Sequence, residues 1–153
     1  MSCEARIKEL GLTLPEPPRP AGRFVPAVQV GNLIFVSGQI SAVSGRLAMK
    51  GKLGRDLSIE QGQEAARQAL LNVLAVLQNV TGTLDAIKRI VKLNGWVASA
   101  EGFNNQPMVV DGASLLLEEI FGEAGKHARA AIGVAELPLG APVELELIAE
   151  VRP

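Results

Sequence analysis

The chain has 153 residues, 48% hydrophobic and 20% charged, with a formal net charge of −1, the profile of one globular domain able to bury most of its apolar surface. One histidine (His127), one cysteine (Cys3) and no tyrosine exclude a Cys/His zinc site within the chain, an internal disulfide and a tyrosine acid, and leave His127 as the sole imidazole. Near-neutral charge, four phenylalanines and one tryptophan give neither the field nor the stacking surface that nucleic acid requires, and no pull toward an anionic membrane. No nucleic-acid or membrane partner is therefore expected. A lone thiol suits the reducing cytoplasm, and the acidic, h-region-free start Met1–Arg6 is not expected to act as a signal peptide.

Ser2 is placed to cap a short helix reaching Leu10, with Gly11 as its left-handed stop. Leu14-Pro15-Glu16-Pro17-Pro18-Arg19-Pro20 then forces an extended arm, read as a surface strap rather than a proline-motif ligand. Val25–Val30 and Leu33–Ser37 flank Gly31-Asn32, a favourable pair for a hairpin turn. The apolar run Leu33–Val36 predicts a strand covered on both faces. Ile40–Leu57 reads as a glycine-rich loop with Arg46, Lys50, Lys52 and Arg55 against the single acid Asp56. It is a solvated loop unless it borders a pocket, where it would rim an anion site.

Ser58-Ile59-Glu60-Gln61 is a capping box for a helix with apolar positions at Ala66, Ala69, Leu70, Val73, Leu77 and Val80, stopped by Gly82. A strand over about Arg89–Val97 places Trp96 in the core. A second helix covers about Pro107–Phe121 and ends at Gly122. The last strands are Ala128–Val134 and Val143–Val151. This order predicts an α+β fold, a mixed sheet with both helices on one face. The other face is apolar enough to call for a second subunit.

Arg129 interrupts a strand of small apolar residues. It is either an edge residue paired with a surface acid or a guanidinium fork for a ligand carboxylate. Glu144 and Glu146 share one face of the last strand, with Val143, Leu145 and Leu147 on the other. If that face is an interface, burial raises the carboxylate pKa toward useful acid/base values. His127 has no partner identifiable by spacing, and Cys3 sits in no motif. The glycine-rich loop matches neither the phosphate-loop nor the dinucleotide pattern, so phosphate-loop chemistry is not expected. No metal and no cofactor is expected either.

Gly31-Asn32-Leu33-Ile34-Phe35-Val36-Ser37-Gly38-Gln39-Ile40 resembles the N-terminal signature of the RidA/YjgF family. Ala128-Arg129, Val134-Ala135-Glu136-Leu137-Pro138 and Val143-Glu144-Leu145-Glu146-Leu147-Ile148-Ala149 resemble its C-terminal signature. The resemblance runs from about Gly22 to the C-terminus. It implies a single chorismate-mutase-like domain over 1–153, with 1–21 as an added helix and proline arm, assembled as a homotrimer with ligand sites in clefts between subunits. It also implies hydrolysis of enamine/imine intermediates to 2-keto acids and ammonia.

By the same resemblance Arg129 clamps the substrate carboxylate, the Ala131 N–H assists, the Gly38 carbonyl holds the imine nitrogen, and Glu144 positions or activates water. Two site positions depart from the family habit: Phe24 stands where tyrosine is common, and Ala131 where cysteine is. The stretch holding Asp111-Gly112-Ala113-Ser114 is longer than in the deaminase. A non-catalytic trimer binding small carboxylates is the alternative. The endoribonuclease label borne by some relatives fits this charge and aromatic content poorly.

Overall fold

The computed structural model describes residues 1–153. Ser2 Oγ accepts the Ala5 N–H at 3.0 Å and starts α1, Cys3–Glu9; the chain leaves through Gly11 at φ +75°. Glu4 Oε1 fastens this helix by accepting the Leu84 N–H at 2.7 Å and the Thr83 hydroxyl at 3.1 Å. In the arm that follows, Leu12 and Leu14 pack on the core while Pro17 and Pro20 stay exposed, as a strap requires.

Strands β1 (Ala27–Val30) and β2 (Leu33–Ile40) form the expected hairpin, with Gly31 at φ +58° in its turn. β2 continues past Ser37 because a bulge between Val36 and Gln39 lets it resume pairing. The stretch read as loop contains a small ribbon, β3 (Ala42–Val43) and β4 (Arg46–Leu47), turned by Ser44 and Gly45 at φ +52° and +76°. Strands of two residues are too short to show a period, so the sequence did not reveal them.

Helix α2, Ile59–Thr81, begins with both hydrogen bonds of the Ser58/Gln61 capping box and stops at Gly82. β5 spans Ile87–Ala98, α3 Gln106–Phe121, β6 Ala128–Val134 and β7 Val143–Val151. The sheet order is β1-β2-β7-β5-β6, antiparallel except for the β5–β6 pair. The chain thus makes two crossovers, β2–α2–β5 and β5–α3–β6, with α2 and α3 on one face. Leu70, Leu74 and Leu77 of α2 and Leu116 and Leu117 of α3 are fully buried with Ile34, Leu93, Leu145 and Leu147 of the sheet. No helix is long and apolar enough to cross a membrane.

One glycine sets the spacing of the two helices. A Cβ on Gly112 would lie 2.5 Å from the Gln63 carbonyl oxygen, so only a bare Cα lets α3 lie this close to α2. Buried Asn72 of α2 donates through Nδ2 to Ile40 O at 2.9 Å and Ala42 O at 2.7 Å, anchoring the chain just past the bulge.

The second face of the sheet carries no element of this chain. Val28, Val30, Phe35 and Ile132 lie exposed on it. Two expectations change here. Within one chain the Leu33–Val36 run is covered on one face only, leaving Phe35 40% exposed. Trp96 is not a core residue: it stands half-buried on the open face between Glu144 and Ile132. Strand alternation decides this, because Leu93, Gly95 and Val97 take the helix-facing positions.

Candidate functional site

Arg129 lies on edge strand β6 in register with Leu93, so its side chain points to the helix-covered face. There it meets α3. Nη1 donates to Asp111 Oδ1 at 2.6 Å and to Ser114 Oγ at 3.1 Å, and Nη2 makes a long 3.4 Å contact with the Pro107 carbonyl. Pro107, Asp111 and Ser114 are spaced i, i+4, i+7, one stripe of a helix. Nη1 thereby spends both protons on the protein. Nε makes no hydrogen bond, and one Nη2 proton is also free. These two N–H groups form the side-on fork that accepts a carboxylate in two parallel bonds. Arg129 thus pairs with an acid while Nε and one Nη2 proton are left without a protein acceptor.

His127 explains how Ser114 is oriented. His127 Nδ1 lies 2.6 Å from the Gly125 carbonyl and Nε2 lies 2.9 Å from Ser114 Oγ. A carbonyl only accepts, so Nδ1 carries the proton in the neutral ring and Nε2 accepts from the serine hydroxyl. The Ser114 lone pairs are then left for Arg129. The partner that spacing did not reveal is this helical serine, 13 residues upstream.

Ala131 follows on the same strand. Ser99 N–H donates to Val134 O at 2.9 Å, and the β5–β6 register has no shift. Backbone polar groups alternate along a strand, so the Ala131 N–H projects from the unpaired edge of β6, on the strand that carries Arg129.

Gly38 and Glu144 form a second group on the open face. Gly38 belongs to the β2 bulge, and a Cβ there would collide with Glu144 Oε2. The glycine is what lets this carboxylate lie against the strand backbone. Burial raises the Glu144 pKa above the ordinary carboxylate value, and neighbouring Glu146 adds to the rise. Glu146 accepts from Asn94 Nδ2 at 2.9 Å, while Asn94 Oδ1 is buried without a partner. Phe24, half exposed, precedes β1 at the far edge of the sheet.

One chain does not unite these groups. Glu144 faces away from the helices and Arg129 toward them, and β5 lies between their strands. Two strand spacings put them about 10 Å apart laterally, on opposite faces. Phe24 lies farther still, beyond β2.

Other candidates resolve into local roles. The Cys3 thiol is pushed up to about 12, by burial first and then by Asp85, so it is held protonated. The loop after β2 does border a cavity of about 130 Å³. Two of its cations are engaged there, Lys52 with Glu136 at 3.0 Å and Arg55 with Asp56 at 3.0 Å, while Arg46 and Lys50 make no ion pair and line a second cavity of about 350 Å³. No group of three or more His, Cys, Asp or Glu side chains is placed to hold a metal ion. Asp111, Ser114 and Asn94 are the site-forming residues to which sequence reasoning gave no role. The helical stripe was the available signal for the first two.

A family described as "YjgF/chorismate_mutase-like, putative endoribonuclease" matches residues 4–151. The chain is 43% identical over 149 residues to Protein TCP17 of Trypanosoma cruzi, covering 97% of this chain and 93% of that protein. It is 33% identical over 138 residues to a 2-iminobutanoate/2-iminopropanoate deaminase of Dermatophagoides farinae, covering 90% and 92%. A crystal structure from Shewanella oneidensis, described as "a putative endoribonuclease", superposes with a TM-score of 0.95 at 37% identity, covering 99% of this chain and all of that one.

Proposed function

Because the chain belongs to the YjgF/chorismate-mutase-like family, we propose that it hydrolyses small 2-imino acids and their enamine forms to 2-keto acids and ammonia. The proposed assembly is a homotrimer whose sites are completed between subunits. The observation that carries the reading is Glu144, a carboxylate pressed against Gly38 with its pKa raised by burial. The deaminase relative supports the substrate class.

The free Nε/Nη2 fork of Arg129 receives the substrate carboxylate, and the Ala131 N–H at the same strand edge adds a third donor. The Gly38 carbonyl of a neighbouring subunit accepts from the imine nitrogen. An iminium carbon is already electrophilic, so neither a covalent nucleophile nor a metal is needed. Glu144 takes a proton from water as the water oxygen bonds to C2, and the C=N electron pair moves onto nitrogen. The proton then passes to that nitrogen, and Glu144 takes the remaining hydroxyl proton as C=O forms, the C–N bond breaks and ammonia leaves, carrying that proton off as ammonium. Phe24 supplies an apolar wall in place of a hydroxyl.

Carboxylate binding without turnover is the second reading. The separation within one chain favours it: the Arg129 fork lies on the opposite face of the sheet from Glu144, so carboxylate capture does not require Glu144. Net charge −1 speaks against tracking an RNA backbone.

The test is a coupled assay in which an amino-acid oxidase generates imines from a panel of amino acids and keto-acid release is followed. Wild type accelerates release and Arg129→Ala does not. Glu144→Gln lowers turnover by about 100-fold or more while carboxylate binding survives. Wild type matching Arg129→Ala on every imine rejects the enzyme reading. Binding without acceleration favours the non-catalytic one.

A further inference from the structure

Arg129 and Asp111 form the one charged pair in this part of the fold, at 2.6 Å. Their side chains are 23% and 48% exposed, so the pair is only partly screened by water. Ser114, the third member, is neutral. The anchoring end of the site therefore has no net charge, although its free fork is shaped for a carboxylate. Asp111 Oδ2 makes no hydrogen bond, and its charge is not offset by any second cation.

A ligand carboxylate seated on the Nε/Nη2 fork comes within about 6 Å of the Asp111 carboxylate, across one guanidinium. A ligand carrying only that negative charge meets repulsion from Asp111. A ligand that also carries a positive nitrogen next to its carboxylate does not, because its own dipole complements the Arg129–Asp111 pair. We propose that Asp111 makes the site select zwitterions, molecules with a carboxylate and an adjacent cationic nitrogen, over simple carboxylate anions of the same shape.

This inference rests on the proposed function for its consequence. The iminium form of a 2-imino acid is a zwitterion, and the 2-keto acid product is an anion. Asp111 therefore favours substrate over product at the anchoring residue and promotes product release, without touching the reacting carbon.

Asp111→Asn isolates the charge, since the amide oxygen still accepts from Arg129 Nη1. Calorimetry on the purified oligomer compares shape-matched ligands: pyruvate against alanine, and 2-oxobutanoate against 2-aminobutanoate. The substitution is expected to shift the ratio of the two affinities toward the keto acid by about three- to tenfold at low salt. The shift shrinks at high salt, because it is electrostatic. An unchanged ratio, or equal weakening of both ligands, overturns the proposal and makes Asp111 a positioning residue only. If wild type and Arg129→Ala bind both ligands equally poorly, the carboxylate site itself is wrong and the proposal falls with it. Loss of imine turnover alone does not bear on the ratio, so failure of the enzyme reading is seen separately.

Discussion

Arg129 owes its orientation to a run of hydrogen bonds whose direction is fixed at one end by a carbonyl. Gly125 O orders the His127 proton, His127 orders the Ser114 hydroxyl, and Ser114 together with Asp111 holds Nη1. Ser114→Ala removes one acceptor and unlocks the imidazole, so carboxylate affinity is expected to fall about fivefold, read as Kd by titration calorimetry. Glu144 is a different case. Its folded-state pKa is raised, so the native state holds the proton more tightly than the unfolded chain does. The resulting penalty is absent at low pH, grows as pH rises through the carboxylate range, and is complete above the folded pKa. Glu144→Gln is therefore expected to raise the urea midpoint at neutral pH, with the difference from wild type closing as pH falls through that range.

Secondary-structure elements matter here through how closely they approach. The α3 stripe Pro107, Asp111, Ser114 reaches Arg129 only because α3 lies close on α2, at the separation Gly112 allows. Gly112→Ala sets a methyl against the Gln63 backbone, which has no side-chain freedom to yield. It is expected to cost about 1–3 kcal/mol in urea unfolding and to weaken carboxylate binding as α3 shifts. On the other side of the site, Asn72 satisfies two carbonyls beyond the Gly38 bulge. Asn72→Ala leaves both without a donor in a buried setting and is expected to destabilise by about 2–4 kcal/mol, measured in the same way. The capping box of α2, the β1–β2 turn and the bounds of β6 and β7 were all legible, because caps, turns and period-two alternation are local properties. The β3–β4 ribbon and the environment of Trp96 were not, since they depend on which face the rest of the chain leaves open.

For the molecule as a whole, the open face decides what one chain lacks. It presents Val28, Val30, Phe35 and Ile132 to solvent. Apolar surface of this kind is covered by a second copy. Phe35→Glu places a charge on that face and is expected to shift sedimentation from oligomer to monomer, and to abolish imine turnover although Arg129 and Glu144 are intact. Sharing of sites is tested by mixing inactive chains. Arg129→Ala and Glu144→Gln subunits, dissociated and reassembled together, are expected to regain activity in about one quarter of sites by random assortment. No recovery means that the two residues serve the same chain or separate purposes.

Sequence by itself determined the element order, the helix-covered face, the identity of Arg129, Gly38, Ala131 and Glu144 as candidates, and the chemistry excluded by one histidine, one cysteine and no tyrosine. The elements, Arg129, Glu144 and the exclusions follow from composition and short-range periodicity, which need no tertiary contact; Ala131 and the ligand role of Gly38 came from the family resemblance. Only the tertiary structure decided that Arg129 and Glu144 lie on opposite faces of one sheet and that Gly38 receives the Glu144 carboxylate. It alone gave Arg129 an acid and His127 a serine. Partners 13 to 106 residues apart (Ser114–His127, Gly38–Glu144) meet only when the sheet register and the α2–α3 crossing are set, and no local pattern in the chain encodes either.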